Sequence, residues 1–210
     1  MAQALHQDGP QPRSLDEIAG LIQACRRCGL WAGATQGVPG EGPAHAPMML
    51  VGEMPGDQED LQGHPFVGPA GGVLDRALAE AGVDRSETYV TNAVKHFKNE
   101  PRGKRRLHRT PDRGEISACR WWLDGERRLV RPRVIVAMGG SAALAVFGRP
   151  TPILKNRGRA FQLPDQAQAV ITVHPSMILR IPDAAAKTQA YAAFVQDLRA
   201  ARALLRGGSG

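Results

Sequence analysis

The sequence predicts an α/β fold, a three-layer αβα sandwich around a central, mainly parallel four-stranded sheet. Two observations predict it. Four short apolar runs, MMLVGE (48–53), TYVTNAV (88–94), VIVAMGG (134–140) and AVITVHP (169–175), each end in small or polar residues. Helix-like segments separate them, over 70–81, 112–128 and 141–147, and another follows the last run over 184–205. Apolar runs bounded in this way are those of strands covered on both faces.

A start rich in Gln and Pro makes residues 1–13 an expected disordered segment, and GGSG at 207–210 an expected flexible tail. Between them, 14–206 reads as one domain without internal repeats. Ser14 opens the first helix, Glu17 completes a capping box, and Leu15, Ile18, Leu21 and Ile22 supply an apolar face. That helix delivers Cys25 and Cys28, and a Gly- and Pro-rich loop follows over 33–47.

At 210 residues the chain has ample length to bury a core, and 42% hydrophobic with 22% charged residues is a soluble globular composition. A formal net charge of +7 points to an anionic partner, nucleic acid first. No apolar run reaches the length of a membrane span, and the polar N-terminus lacks a signal-peptide core. A cytoplasmic protein working as a monomer is therefore expected. Three cysteines cannot all pair with one another. In a reducing compartment Cys25-x-x-Cys28 reads as metal-binding or redox-active before structural disulfide.

In an open α/β sheet, ligands bind beyond the carboxyl ends of the strands. Glu53, Asn92, Gly139 and His174 all stand at such ends, so four distant segments are expected to converge on one cleft. The stretch GEMPGDQEDLQGHPFVGPAG, from Gly52 to Gly71, allows a tight loop with backbone N–H groups facing a ligand. It matches neither GxGxxG nor the Walker pattern, which excludes the usual dinucleotide and triphosphate loops. Glu53, Asp57, Glu59 and Asp60 offer carboxylates, at the site or solvated. Phe66 offers a face for a stacked base, or a core side chain. His174, in His174-Pro175-Ser176, is either structural or a donor to charge developing on a leaving group.

The stretch from Asn92 to Cys119 concentrates the charge: between Lys95 and Arg109 stand seven Lys/Arg and one acid, Glu100. Pro101, Gly103 and Pro111 make it a loop. Cys25 and Cys28 need two further ligands. Cys119 is the only other cysteine, and His96 at the foot of the basic loop is the fourth candidate. A Cys₃His set suits zinc or an iron–sulfur cluster, and spacing does not choose between them.

GEMPGDQED…GHPFVGPAG, TNAVKH and VHPSMILR resemble the motifs of the uracil-DNA glycosylase superfamily, in its iron–sulfur family-4 branch. The resemblance runs from Ala24 to the final helix. Family 4 ligates its cluster with four cysteines; here the third ligand falls on His96, where the family has KC. With 22 residues between His96 and Cys119, the segment is longer than is usual there and carries Lys104-Arg105-Arg106-Leu107-His108. That insertion resembles the KRRIH loop of the X-type (UdgX) branch, which excises uracil and stays covalently joined to the resulting DNA site. Leu107 replaces Ile, and Met54 stands where that branch commonly has Gln.

The resemblance implies a uracil-containing DNA substrate, single-stranded or with the base flipped out. Gly52, Asp57, Phe66 and Asn92 would bind uracil, with Phe66 stacking and Asn92 reading the polar edge. His174 would stabilise the departing base. His108 would attack the sugar C1′, with Glu53 orienting it or taking its proton. Lys95, Lys104, Arg105, Arg106 and Ser176 would contact DNA, the last three basic residues gripping phosphates or bracing His108. Cys25, Cys28, His96 and Cys119 would hold a 4Fe-4S cluster, with zinc as the alternative, pinning both ends of the basic loop.

Overall fold

In chain order the elements are α1 (Leu15–Gln23), β1 (Met48–Gly52), α2 (Asp57–Gln62), α3 (Pro69–Ala81), β2 (Thr88–Asn92), β3 (Asn99–Arg102), β4 (Arg105–His108), α4 (Arg113–Val130) and β5 (Val134–Met138). The chain continues through α5 (Gly140–Phe147), α6 (Ile153–Asn156), β6 (Ala160–Gln162), β7 (Gln168–Thr172), α7 (Pro175–Leu179) and α8 (Ala184–Arg206). The structure, a computed structural model, describes residues 11–103 and 105–206. Most of the expected disordered start, the expected DNA contact Lys104 and the tail 207–210 lie outside the described residues.

The four apolar runs become β1, β2, β5 and β7, parallel neighbours in the order β2-β1-β5-β7. Every residue of β1, β2 and β5 is buried, as strands between two helical layers must be. Side chains alternate between the layers. Met49, Val51, Ile135 and Ala137 join the core with α1, α4 and α5. Met48, Leu50, Val134, Val136 and Met138 join the core with α3 and α8. The sandwich is therefore the fold that the sequence predicts, with one addition. The short β6 pairs antiparallel with β7 and makes the sheet five-stranded. Three residues are too few to show a period.

The basic stretch is not a loop. β3 and β4 form an antiparallel hairpin with Asn99 opposite His108 and Arg102 opposite Arg105. Gly103, at φ +60, provides the left-handed turn. Pro101 is tolerated because a two-stranded ribbon has only edge strands. The hairpin is clamped at its foot by the start of α4. There Asp112 caps the helix, accepting the Glu115 N–H at 3.0 Å, while Glu115 accepts from Asp112 N–H at 2.7 Å and from Lys98 Nζ at 2.8 Å. At α1, Ser14 accepts the Glu17 N–H at 3.1 Å as expected. Glu17 itself takes the N–H of Arg13, one residue earlier than a capping box requires.

The register sets Gly52 beside Asn92 and Met138 beside Thr172. The segments following all four parallel strands thus open at one end of the sheet. Among the described residues, no helix is long and apolar enough to cross a membrane.

Candidate functional site

Beyond those strand ends lies a cleft of about 500 Å³, lined by Met54, Asp57, Phe66, Asn92, His108 and His174 among others. Its floor depends on glycines. A Cβ on Gly52 would stand 2.4 Å from Asn92 Oδ1 and 2.5 Å from Phe66 Cζ. A Cβ on Gly71 would stand 1.7 Å from the Phe66 carbonyl oxygen, so α3 packs directly on the Phe66 backbone. Phe66 is held at φ +58, a region that costs a side-chain-bearing residue roughly 1–2 kcal/mol. Its ring faces the His174 ring, with centroids 6.0 Å apart and planes 30° from parallel. Asn92 is buried, and its Oδ1 has no hydrogen-bond partner among the described residues. Such an acceptor calls for a donor from a ligand or from water.

Glu53, just past β1, lies 3.2 Å from His108 through Oε1 and Nε2. Its Oε2 accepts from Ser141 Oγ at 2.5 Å. Burial alone pushes this carboxyl up. The bonds from His108 and Ser141, with the charges of His108 and His174, outweigh burial and hold it below the usual carboxylate range. Burial pushes His174 down to about 4, so the ring is neutral at pH 7. The Ser176 N–H donates to His174 Nδ1 at 3.2 Å, which leaves the ring proton on Nε2. His174 is thus a neutral donor. Arg180 Nη2 donates to Ser176 Oγ at 2.7 Å and braces that turn.

His108 reaches the cleft because of Arg106, two residues earlier and on the same face of β4. Arg106 Nε donates to Asp57 Oδ1 at 2.7 Å and Nη1 to Asp60 Oδ2 at 2.5 Å. Its guanidinium also covers the Phe97 ring at 5.3 Å. Two expectations with open alternatives narrow here. Arg106, expected to grip phosphates or to brace His108, has its charge taken by two carboxylates and braces the hairpin. Of the acids expected at the site or solvated, Glu59 and Asp60 are buried. Glu59 accepts the N–H groups of Gly56 at 3.0 Å and Gly68 at 2.8 Å, tying the two loops that flank the cleft.

Lys95 is a further correction. It was expected on DNA, yet its side chain is wholly buried and donates to Glu126 at 2.8 Å and to the Asn92 carbonyl at 2.9 Å. A buried ammonium persists only when paired in this way. Arg105, by contrast, is exposed.

Residues 39–199 match the family described as the Uracil DNA glycosylase superfamily. The chain belongs to the uracil DNA glycosylase superfamily. It is 37% identical over 175 residues to a type-4 uracil-DNA glycosylase of Pyrobaculum aerophilum, spanning 80% of this chain and 86% of the relative. It is 34% identical over 178 residues to one of Sulfurisphaera tokodaii, with 81% and 78% covered, and 35% identical over 167 residues to one of Thermotoga maritima, with 79% and 83% covered.

In this superfamily member the three cysteines are free thiols, and Cys25 and Cys119 are buried. Each sulfur faces an N–H donor. Lys95 N–H donates to Cys119 Sγ and Trp122 Nε1–H to Cys25 Sγ, both at 3.2 Å, and the Leu30 N–H donates to Cys28. Burial pushes the Cys119 thiol up to about 12, so a thiolate there calls for a cationic partner. Burial pushes the nearby His96 down, keeping its imidazole neutral and able to ligate. Among the described residues, no three His, Cys, Asp or Glu side chains stand together in metal-binding geometry. The donor types, three thiols and a neutral imidazole, are those of a Cys₃His set for zinc or an iron–sulfur cluster, and the N–H bonds to sulfur suit either.

Two residues beside the cleft escaped the sequence reading. Ser141 opens α5 one turn after a strand end, and Arg180 closes VHPSMILR. Extending the strand-end rule by three residues finds Ser141, while Arg180 stands eight residues past β7.

Proposed function

We propose that the chain is a uracil-DNA glycosylase that excises uracil from DNA and then holds the sugar through a covalent bond from His108. The observation carrying this reading is the 3.2 Å approach of His108 Nε2 to Glu53 Oε1, beside a cleft shared with Phe66, Asn92 and His174. The relatives' names supply the reaction class. The target nucleotide enters unstacked, from single-stranded DNA or flipped out of a duplex.

Phe66 stacks on uracil, and Asn92 Oδ1 accepts the N3–H that cytosine lacks. As the C1′–N1 bond breaks, its electron pair leaves on the base. His174 Nε2–H donates to the oxygen on which that charge collects. Ionised Glu53 balances the cationic sugar. A ring nitrogen of His108 then gives its lone pair to C1′, and the ring proton made acidic by alkylation passes to Glu53 or solvent. The hairpin holds the imidazole at high effective concentration, which lets it outrun water. Lys104, Arg105 and Ser176 contact the DNA backbone. Cys25, Cys28, His96 and Cys119 hold an iron–sulfur cluster, whose contribution is structural, pinning both ends of the segment that carries the hairpin.

The test is a denaturing gel after incubation with deoxyuridine-containing single-stranded DNA. A heat- and SDS-stable band limited to one DNA per protein is expected. Uracil release with turnover and no band leaves an ordinary family-4 glycosylase. Absence of uracil release leaves a DNA-binding protein.

A further inference from the structure

Glu53 has two carboxylate oxygens and a partner for each. His108 Nε2 stands 3.2 Å from Oε1. Ser141 Oγ stands 2.5 Å from Oε2, within the range of a charge-assisted O–H···O⁻ bond. The backbone carrying Ser141 has little freedom. Gly139 takes φ +91, and a Cβ there would stand 3.2 Å from His174 Cβ, so the turn from β5 into α5 packs against the leaving-group histidine. Ser141 itself is buried. The α5 N-terminus adds a dipole that favours the carboxylate's charge.

A hydroxyl has one proton to give. Directed at Oε2, it leaves Oε1 as the oxygen available to His108. We infer that Ser141 is a positioning residue for this reaction: its hydroxyl fixes the rotation of the Glu53 carboxylate and keeps the other oxygen on His108. The inference rests on the proposed roles of Glu53 and His108 and adds a requirement to them. Ser141 acts through Glu53 and touches neither base nor sugar. Without it the carboxylate turns freely, spends less time facing His108, and loses a bond that favours its ionised form.

The experiment compares the full-length protein with Ser141→Ala and Ser141→Thr, the latter keeping the hydroxyl. Loss of a hydrogen bond to a charged group is expected to slow adduct formation on the order of 10- to 100-fold. The acid limb of the rate profile should move to higher pH in Ser141→Ala, and Ser141→Thr should restore rate and limb together. Carboxyl ¹³C NMR of Glu-labelled protein reads the same contact without any reaction: Glu53 should titrate at higher pH in Ser141→Ala. An unchanged Glu53 titration overturns the inference, as does a slowed rate that the threonine variant fails to rescue. If the unsubstituted protein releases uracil but forms no covalent band, the proposed role of His108 falls, while the NMR titration still decides the role of Ser141.

Discussion

Asp60 Oδ2 and Arg106 Nη1 meet at 2.5 Å, joining a wholly buried carboxylate to the strand that carries His108. Asp60 also accepts the Thr35 N–H through both oxygens at 3.0 Å, so it fastens three segments at one point. Removing one partner of a buried pair costs roughly 3–5 kcal/mol; Arg106 is partly exposed, so Arg106→Ala should cost less. Thermal melting measures that cost, and adding Asp60→Asn should recover part of it. The covalent band should form more slowly in Arg106→Ala while uracil release continues. Equal loss of both products would mean that Arg106 serves base excision directly.

The glycines beneath the cleft give a sharper steric test. Gly52→Ala places a methyl 2.4 Å from Asn92 Oδ1 and 2.5 Å from Phe66 Cζ. Neither side chain can yield without leaving its place in the proposed uracil site. Uracil release should drop at least 100-fold, with a circular dichroism spectrum like that of the parent. Retained activity would mean that uracil is not bound between Phe66 and Asn92.

For the proposed cluster, purified protein should be brown and contain iron and acid-labile sulfide. Cys119→Ala should lose the colour and weaken the covalent band, because Cys119 anchors the segment just after the hairpin. A colourless protein containing zinc would replace this assignment with a zinc site held by the same Cys₃His set.

What was legible in the sequence was whatever depends on near neighbours. The strands β1, β2, β5 and β7 were readable because burial on both faces demands unbroken apolar runs. Convergence of Glu53, Asn92 and His174 followed from strand polarity. The hairpin was hidden because Pro101 and Gly103 are local breakers, while its anchor, Arg106 on Asp60, spans 46 residues. Lys95 read as surface charge because its partner Glu126 lies 31 residues on. Ser141 was missed for the same reason, lying 88 residues from Glu53. Met54, the departure from Gln, proves to be buried, with its sulfur accepting the Lys98 N–H at 3.4 Å at the hairpin's foot.

Acid should destabilise the fold, and the sign can be worked out at His174. Burial holds it at about 4 when folded, whereas an unfolded imidazole titrates near ~6.5. Between those values the unfolded chain binds more protons, so stability falls as pH drops through that window and is flat above it. The depressed Glu53 carboxyl acts in the same sense at lower pH, its contribution being lost as pH falls through its folded value. Melting temperatures measured from roughly pH 8 to pH 4 should show this decline, and His174→Gln should flatten its upper part. His174→Ala should also slow uracil release on the order of 10²–10³-fold, the effect of losing a preorganised donor. A melting temperature that rises on acidification would contradict the neutral, buried state of His174.

The proposed covalent step stands or falls with His108. It ends β4 with its side chain 46% exposed, facing the cleft, and Glu53 is its one ion-pair partner among the described residues. A structural histidine in a hairpin this polar has no need of a carboxylate from the end of β1; a nucleophile does. Capture requires that uracil leave first or simultaneously, so undamaged DNA should give no band and each protein molecule should react once. His108→Ser should abolish the stable band, yet uracil should still be released, with turnover, because water then reaches the sugar cation. Glu53→Gln should weaken both products, since the carboxylate both balances that cation and orients the imidazole. Mass spectrometry of the digested adduct should place the DNA remnant on the peptide containing Leu107-His108. A remnant on another residue, or a stable band that persists in His108→Ser, would remove His108 from the reaction and leave the hairpin as a DNA-binding arm.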